Sequence, residues 1–381
     1  VKKWLGIAAV LIVLLGAGLF FMQGEPEKTA SSNSDSETAA PEKPDYVREL
    51  AESMTLEEKV GQMFLACVSN STISREDIAS YGLGGYLFFS DFFETRTPES
   101  VTSDLASYQE AASVPMLMAV DEEGGSVVRI SKYSAYRPQP FASPQEVYAQ
   151  SGFEGLRRDA EEKSEFLLSM GINVNLAPVC DLTSDQNAFI YPRTLGENAK
   201  KTSRYVREVV SAMNQKKIGS ALKHFPGYGG NADTHTGIAT DTRRYQDFVS
   251  RDFLPFEAGI EAGAPCVLVS HNIVTAMDES KPASLSENVH QILREELGFD
   301  GVILTDDLAM EGVQGYSGEE NIAVSAIQAG NDLLCTSRYT EQIPAVVQAV
   351  RDGKISEKQI TDSALRVLRW KEKLGLFEEK E

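Results

Sequence analysis

Four short apolar runs in this chain end in residues that can hold charge or move protons: Asp121, the Lys223-His224-Phe225 triplet, His271, and Asp306 followed by Asp307. Carboxylates in such places can serve as nucleophiles, bases or hydroxyl grips, and an imidazole titrates close enough to neutrality to relay protons. Arg129 follows Asp121 closely, and a loop with four glycines follows Lys223, reading Lys223-His224-Phe225-Pro226-Gly227-Tyr228-Gly229-Gly230-Asn231-Ala232-Asp233-Thr234-His235-Thr236-Gly237. Within it Asp233 stands two residues before His235. A carboxylate so placed can accept from one imidazole nitrogen, fixing the tautomer and leaving the other nitrogen for proton transfer. Asp-x-His alone is a common loop pattern. No third and fourth ligands stand at supporting spacing, so the sequence predicts no metal.

These residues need elements to hold them. Eight apolar runs recur along the chain, each followed by a polar or glycine-rich turn and then helical periodicity: 63–68, 85–89, 115–121, 172–178, 220–225, 266–271, 301–306 and 332–336. Continuous apolar strands alternating with amphipathic helices predict a parallel sheet covered on its outer face, and eight units predict an α/β fold, a single (β/α)8 TIM-type barrel. A doubly wound open sheet is the alternative. Helices are expected from the Thr55-Leu56-Glu57-Glu58 capping box and over 153–170, 205–216, 287–297 and 356–377. In parallel barrels the strand C-termini build the active site. Charges from four separate strand ends converging on one mouth would cost desolvation unless a substrate used them, so the cluster reads as a catalytic pocket. His290, inside a predicted helix, reads as structural.

Composition narrows the substrate. A formal charge of −20 argues against nucleic acid, which requires clustered Lys and Arg, and favours a substrate neutral or cationic at its reacting end. Lys2 and Lys3 precede 19 uncharged residues, Trp4 to Met22, nearly the ~20 that cross a bilayer as a helix. The run is longer than the apolar core of a cleaved signal and lacks small residues at its end, so 1–23 reads as an uncleaved anchor, with a cleaved signal and a secreted chain as the alternative. The paired lysines place the rest of the chain outside the cytoplasm. Residues 24–44, rich in Glu, Lys, Ser, Thr, Ala and Pro, read as a flexible tether, and 45–381 as the barrel. Cys67, Cys180, Cys266 and Cys335 match no zinc spacing and read as buried free thiols.

The Lys-His-Phe-Pro-Gly-x-Gly…Asp-Thr-His loop, together with Leu-Arg-Glu-Glu-Leu-Gly-Phe-Asp-Gly-Val-Ile-Leu-Thr-Asp-Asp, resembles glycoside hydrolase family 3, specifically its β-N-acetylglucosaminidase branch. The resemblance runs from about Tyr46 to Phe377 and includes Val120-Asp121-Glu122-Glu123-Gly124-Gly125, Asn175-Leu176-Ala177-Pro178 and Pro282-Ala283-Ser284-Leu285-Ser286. It implies Asp306 as nucleophile and Asp233 with His235 as the acid/base dyad. A regular strand would turn Asp306 and Asp307 to opposite faces, and the choice of Asp306 comes from the family motif. The resemblance also implies that Asp121, Arg129, Arg193, Lys223 and His224 grip the sugar, with His271 a further binding candidate. For Arg193 half of a loop ion pair is the lesser, competing reading, and Glu122 and Glu123 read as residues behind the pocket or in solvent. The family commonly carries a second histidine where this chain has Tyr228, which predicts altered substrate preference with catalysis retained.

The implied reaction is exo-acting hydrolysis of terminal β-linked N-acetylglucosamine from cell-wall fragments or related glycans, with retention and without cofactor. Asp306 attacks the anomeric carbon while protonated His235 protonates the leaving oxygen; neutral His235 then activates water. The competing readings are a family 3 β-glucosidase, a phosphorylase (since an imidazole repels phosphate less than a carboxylate does), a non-catalytic glycan-binding barrel, and an aldolase using Lys223. A monomer is favoured.

Overall fold

The computed structural model describes residues 45–69, 75–231, 237–313, 315–316, 318 and 320–377. Ten strands form within them: β1 (Phe64–Val68), β2 (Gly85–Phe88), β3 (Leu117–Val120), β4 (Val174–Asn175), β5 (Gly219–Phe225), β6 (Thr240–Asp241), β7 (Cys266–Val269), β8 (Ile273–Val274), β9 (Val302–Thr305) and β10 (Leu334–Thr336). Eight of them make one parallel sheet in the order β10-β1-β2-β3-β4-β5-β7-β9. A parallel bridge between Leu304 and Leu333 brings its two ends together, so the sheet is a nearly closed barrel and the open-sheet alternative falls. Each of the eight predicted runs overlaps one of these strands. β6 and β8 pair with each other outside the barrel; at two residues each they are too short to leave a period in the sequence.

Alternation along the strands sorts the core into two layers. Leu65, Leu87, Leu117, Ala119, Leu176, Ala221, Leu268, Val302 and Leu304 fill the barrel interior, which Val367 and Trp370 of the last helix close at one end. Phe64, Tyr86, Phe88, Met118, Leu222, Val267 and Ile303 face outward against the helices. Carrying the inward series one step further, from Leu117 and Ala119 to Asp121, from Ala221 to Lys223, and from Val302 and Leu304 to Asp306, reaches the polar residues at the open mouth.

Helix starts follow their caps. Thr55 and Glu58 complete the expected capping box of Leu56–Gln62, and Ser143 with Glu146 start Pro144–Ser169 nine residues before the predicted Phe153. Gly152, at φ 60 and ψ −154, breaks that helix where periodicity placed its beginning. Ala199–Gln215 begins six residues before the predicted 205, Glu357–Lys373 lies within the predicted 356–377, and the segment predicted over 287–297 turns from α-helix into a wider π turn at Ile292. Among the described residues no helix is long and apolar enough to cross a membrane; the expected anchor and tether lie outside them.

Candidate active site

A cavity of about 550 Å³ opens at the C-terminal mouth, lined by Asp121, Arg129, Arg193, Lys223, His224, Asp306 and Asp307 together with Phe89, Phe189 and Met310. Six of the nine sequence candidates therefore meet in one pocket. Asp233 and His235 lie outside the described residues. His271 departs from expectation.

Lys223 centres the charged rack. Its Nζ lies 2.7 Å from Asp121 Oδ1 and 2.6 Å from Glu123 Oε1. Arg129 Nη2 donates to Asp121 Oδ2 at 3.2 Å, and Arg193 forks onto Glu123 through Nε at 2.9 Å and Nη2 at 2.7 Å. Burial alone would raise both carboxyls; the adjacent cations outweigh it, holding Asp121 well below the ordinary range and Glu123 at about 2. Both acids are thus ionised acceptors at neutral pH, their positions set by donors behind them. Lys223 Nζ is held between two carboxylates as a partner in the ion-pair rack, an arrangement that counts against the aldolase reading.

His224 is oriented from both sides. Arg193 Nη2 can only donate, so Nε2 accepts from it at 3.0 Å, which leaves Nδ1–H to donate to Asp181 Oδ2 at 2.7 Å. Regular alternation would turn His224 away from Lys223's face, but the β5–β7 register shifts between Leu222 and Phe225, bringing both side chains to the pocket. Asp181 also accepts from the backbone N–H groups of His224 and Tyr228, tying the loop's first residues to the barrel. The sequence reading missed Asp181, although it follows the fourth apolar run and fits the strand-end rule. Tyr228 is buried with its ring edge-on to His224 at 5.6 Å, so the phenol supports the pocket wall from behind.

The Asp121–Arg129 segment is folded by Glu122, which is fully buried and accepts from the N–H groups of Arg129 at 2.8 Å and Ile130 at 2.9 Å. Neither Glu122 nor Glu123 is solvated, and Arg193 is both an ion-pair partner and a pocket residue. Gly124, at φ 99, leaves no room for a side chain: a Cβ there would lie 2.2 Å from the Ala142 carbonyl oxygen.

Asp306 follows β9. Its N–H donates to the Val269 carbonyl at 3.0 Å, and its Oδ1 accepts from the N–H of Asp307. The expectation that only one of the two aspartates could face the pocket fails because the strand ends at Thr305, freeing Asp307 from the alternation. His271 is fully buried outside the pocket lining. Its Nε2 donates to the Asp307 carbonyl at 3.0 Å, which leaves Nδ1 to accept from Ser284 Oγ at 2.7 Å. It was expected to bind substrate; it instead braces the turn after Asp306, because a strand-end residue pointing outward meets the next loop before it meets solvent.

A pocket of acids and cations at the strand C-termini stands where barrel enzymes carry their active sites. The family model for the glycosyl hydrolase family 3 N-terminal domain matches residues 55–370, and the chain belongs to that family. It is 30% identical over 294 residues to a beta-hexosaminidase of Xanthomonas campestris pv. campestris, covering 76% of this chain and 88% of that protein. It is also 30% identical to beta-hexosaminidase A of Pseudoalteromonas piscicida over 78% of this chain, but spans only 55% of that relative's length. Among solved structures, a family 3 beta-N-acetylglucosaminidase from a Paenibacillus species superposes with a TM-score of 0.79 at 29% identity, covering 86% of this chain and 64% of that one.

Proposed function

We propose that this family 3 glycoside hydrolase is an exo-acting, retaining β-N-acetylglucosaminidase that removes terminal β-linked N-acetylglucosamine from cell-wall fragments or related glycans. The carrying observation is that Asp306 shares one pocket with a fixed rack of ionised acceptors and donors, Asp121, Lys223 and Arg129, suited to a neutral polyhydroxylated ring. The names of the relatives support the amino sugar as substrate.

In this mechanism Asp306 attacks the anomeric carbon to form a glycosyl ester while the His235 imidazolium, paired with Asp233, protonates the departing oxygen. Neutral His235 then takes a proton from water, which hydrolyses the ester with net retention. Asp121 accepts from sugar hydroxyls that Lys223 and Arg129 polarise, and Arg193 and His224 complete the wall. None of these steps requires a cofactor. Residues 1–23 anchor the chain and 24–44 tether it, so that it acts outside the cytoplasmic membrane.

Aryl β-N-acetylglucosaminide is compared with aryl β-glucoside in phosphate-free buffer, then with phosphate, following the anomeric form of the product. Fast turnover of the acetamido sugar alone, giving free sugar of retained configuration, is expected. Preference for the glucoside or release of a sugar phosphate overturns the assignment. His235→Ala should spare substrates with activated leaving groups more than natural glycans; equal loss on both removes His235 from the proton-donor role. Protease accessibility of the barrel on intact cells tests the location.

A further inference from the structure

Two of the four cysteines meet at the edge of the pocket. Cys67 ends the inward series of β1 and Cys335 that of β10, the neighbouring strand, and their sulfurs stand 3.3 Å apart although 268 positions separate them in the chain. A carboxylate oxygen of Asp307 joins them, the three ligand atoms lying within 4.8 Å of one another. Asp307 and Cys335 also line the cavity beside Asp306, while Cys67 does not. All four cysteines are free thiols.

We propose that Cys67, Cys335 and Asp307 form a binding site for a thiophilic divalent cation of the zinc class, and that its occupancy blocks the sugar pocket. Two sulfurs and one carboxylate oxygen are the donor set that favours zinc or cadmium over magnesium or calcium. Thiolates bonded at about 2.3 Å to a tetrahedral zinc stand about 3.8 Å apart, so a side-chain adjustment of about half an ångström opens the observed pair enough. Asp121 and Asp306 lie near enough to act electrostatically on Cys67, and their charges draw a cation in. Three protein ligands leave the fourth position toward the cavity, where water or a sugar oxygen completes the shell. On binding, each thiol loses its proton to solvent as its sulfur bonds the metal, so the site loads more tightly as pH rises. The cation then draws Asp307 toward itself, beside the carboxylate proposed to attack the sugar. No sequence pattern advertises the site, since its ligands come from opposite ends of the chain.

The reduced, metal-free full chain is titrated with Cd2+ in a phosphine reductant, following the near-ultraviolet thiolate-to-cadmium absorption. One Cd2+ per chain with that absorption, absent from the Cys67→Ser/Cys335→Ser variant, is the expected result. No absorption, or the same absorption in the variant, overturns the site. The blocking role rests on the proposed reaction and is read separately: Zn2+ should inhibit hydrolysis of aryl β-N-acetylglucosaminide, reversibly by chelator. Cys67→Ser should keep its metal-free turnover but need more than about 100-fold more Zn2+, because loss of an outer partner alone costs about 10–100-fold. Cys67→Ala, which cannot ligate, guards against serine substituting as a weak ligand. Unchanged Zn2+ sensitivity in both variants assigns the inhibition to other groups and overturns the blocking role. A chain inactive on every glycoside would sink the reaction, and the cadmium absorption would still decide the site.

Discussion

Lys371, in the last helix, is fully buried with its Nζ donating to the neutral amide oxygen of Gln62 at 2.6 Å. Burial pulls its pKa from 10.5 down to about 7, a gap equivalent to about 5 kcal/mol. At pH 6 the lysine is charged both folded and unfolded, and folding bears nearly that whole penalty. Between pH 7 and 10.5 the unfolded chain binds the proton and the folded chain does not, so stability rises with pH across that window. By pH 9 the remaining penalty is about 2 kcal/mol. Lys371→Met removes the charge at similar length but orphans the Gln62 oxygen, at a cost of about 1–3 kcal/mol. Urea unfolding should therefore find the variant more stable than the wild type by about 2–4 kcal/mol at pH 6 and about equal at pH 9. Taking the difference between the two chains at each pH cancels every other titrating group. A difference that does not change between pH 6 and 9 would refute the buried, readily deprotonated lysine.

Asp306→Asn should abolish turnover while amino-sugar binding, read by calorimetry, persists; residual turnover near wild type would remove Asp306 from the nucleophile's role. Glu123→Gln leaves Arg193 without its buried counter-charge and takes one of two carboxylates from Lys223, which keeps Asp121, and should cost about 3–5 kcal/mol of stability at neutral pH together with a raised KM. Because Glu123 titrates at about 2 in the fold against 4.5 ordinarily, its contribution is present above pH 4.5 and lost as pH falls toward 2. The variant's acid unfolding should thus be flatter over that span, and parallel acid-unfolding curves would contradict the pairing. Arg243 donates to Asp241, Asp252 and the Gly227 carbonyl, joining both flanks of the loop that carries Asp233 and His235. Arg243→Ala should lower kcat by about 10²-fold with the fold intact by circular dichroism, as expected when a reacting group is misplaced by about 1 Å; an unchanged kcat would show that the loop positions itself.

The barrel was legible because its evidence is local and repeated. Eight apolar runs each carry their own strand preference, and a helix between each pair leaves parallel pairing as the economical arrangement. Asp121, Lys223 and Asp306 were legible because each stands at the end of an apolar run, where barrels build their active sites, while the choice of Asp306 over Asp307 came from the family motif. Helix beginnings were less so, since Ser143 caps a helix whose first turns carry little periodicity before Gly152 interrupts it.

What the sequence could not determine is who stands behind whom. The fork of Arg193 onto Glu123 spans 70 positions, and the hold of Asp181 on His224 spans 43. His271 ends its apolar run as Asp121 does, yet it stands two residues past β7, points outward and braces the carbonyl of the turn after Asp306. The Cys67–Cys335 pair forms because the first and last barrel strands are neighbours, a fact that exists only once the sheet has curled round. Side-chain periodicity reports which face of its own strand a residue occupies, whereas partners across the barrel depend on closure and register, which no local stretch of chain encodes.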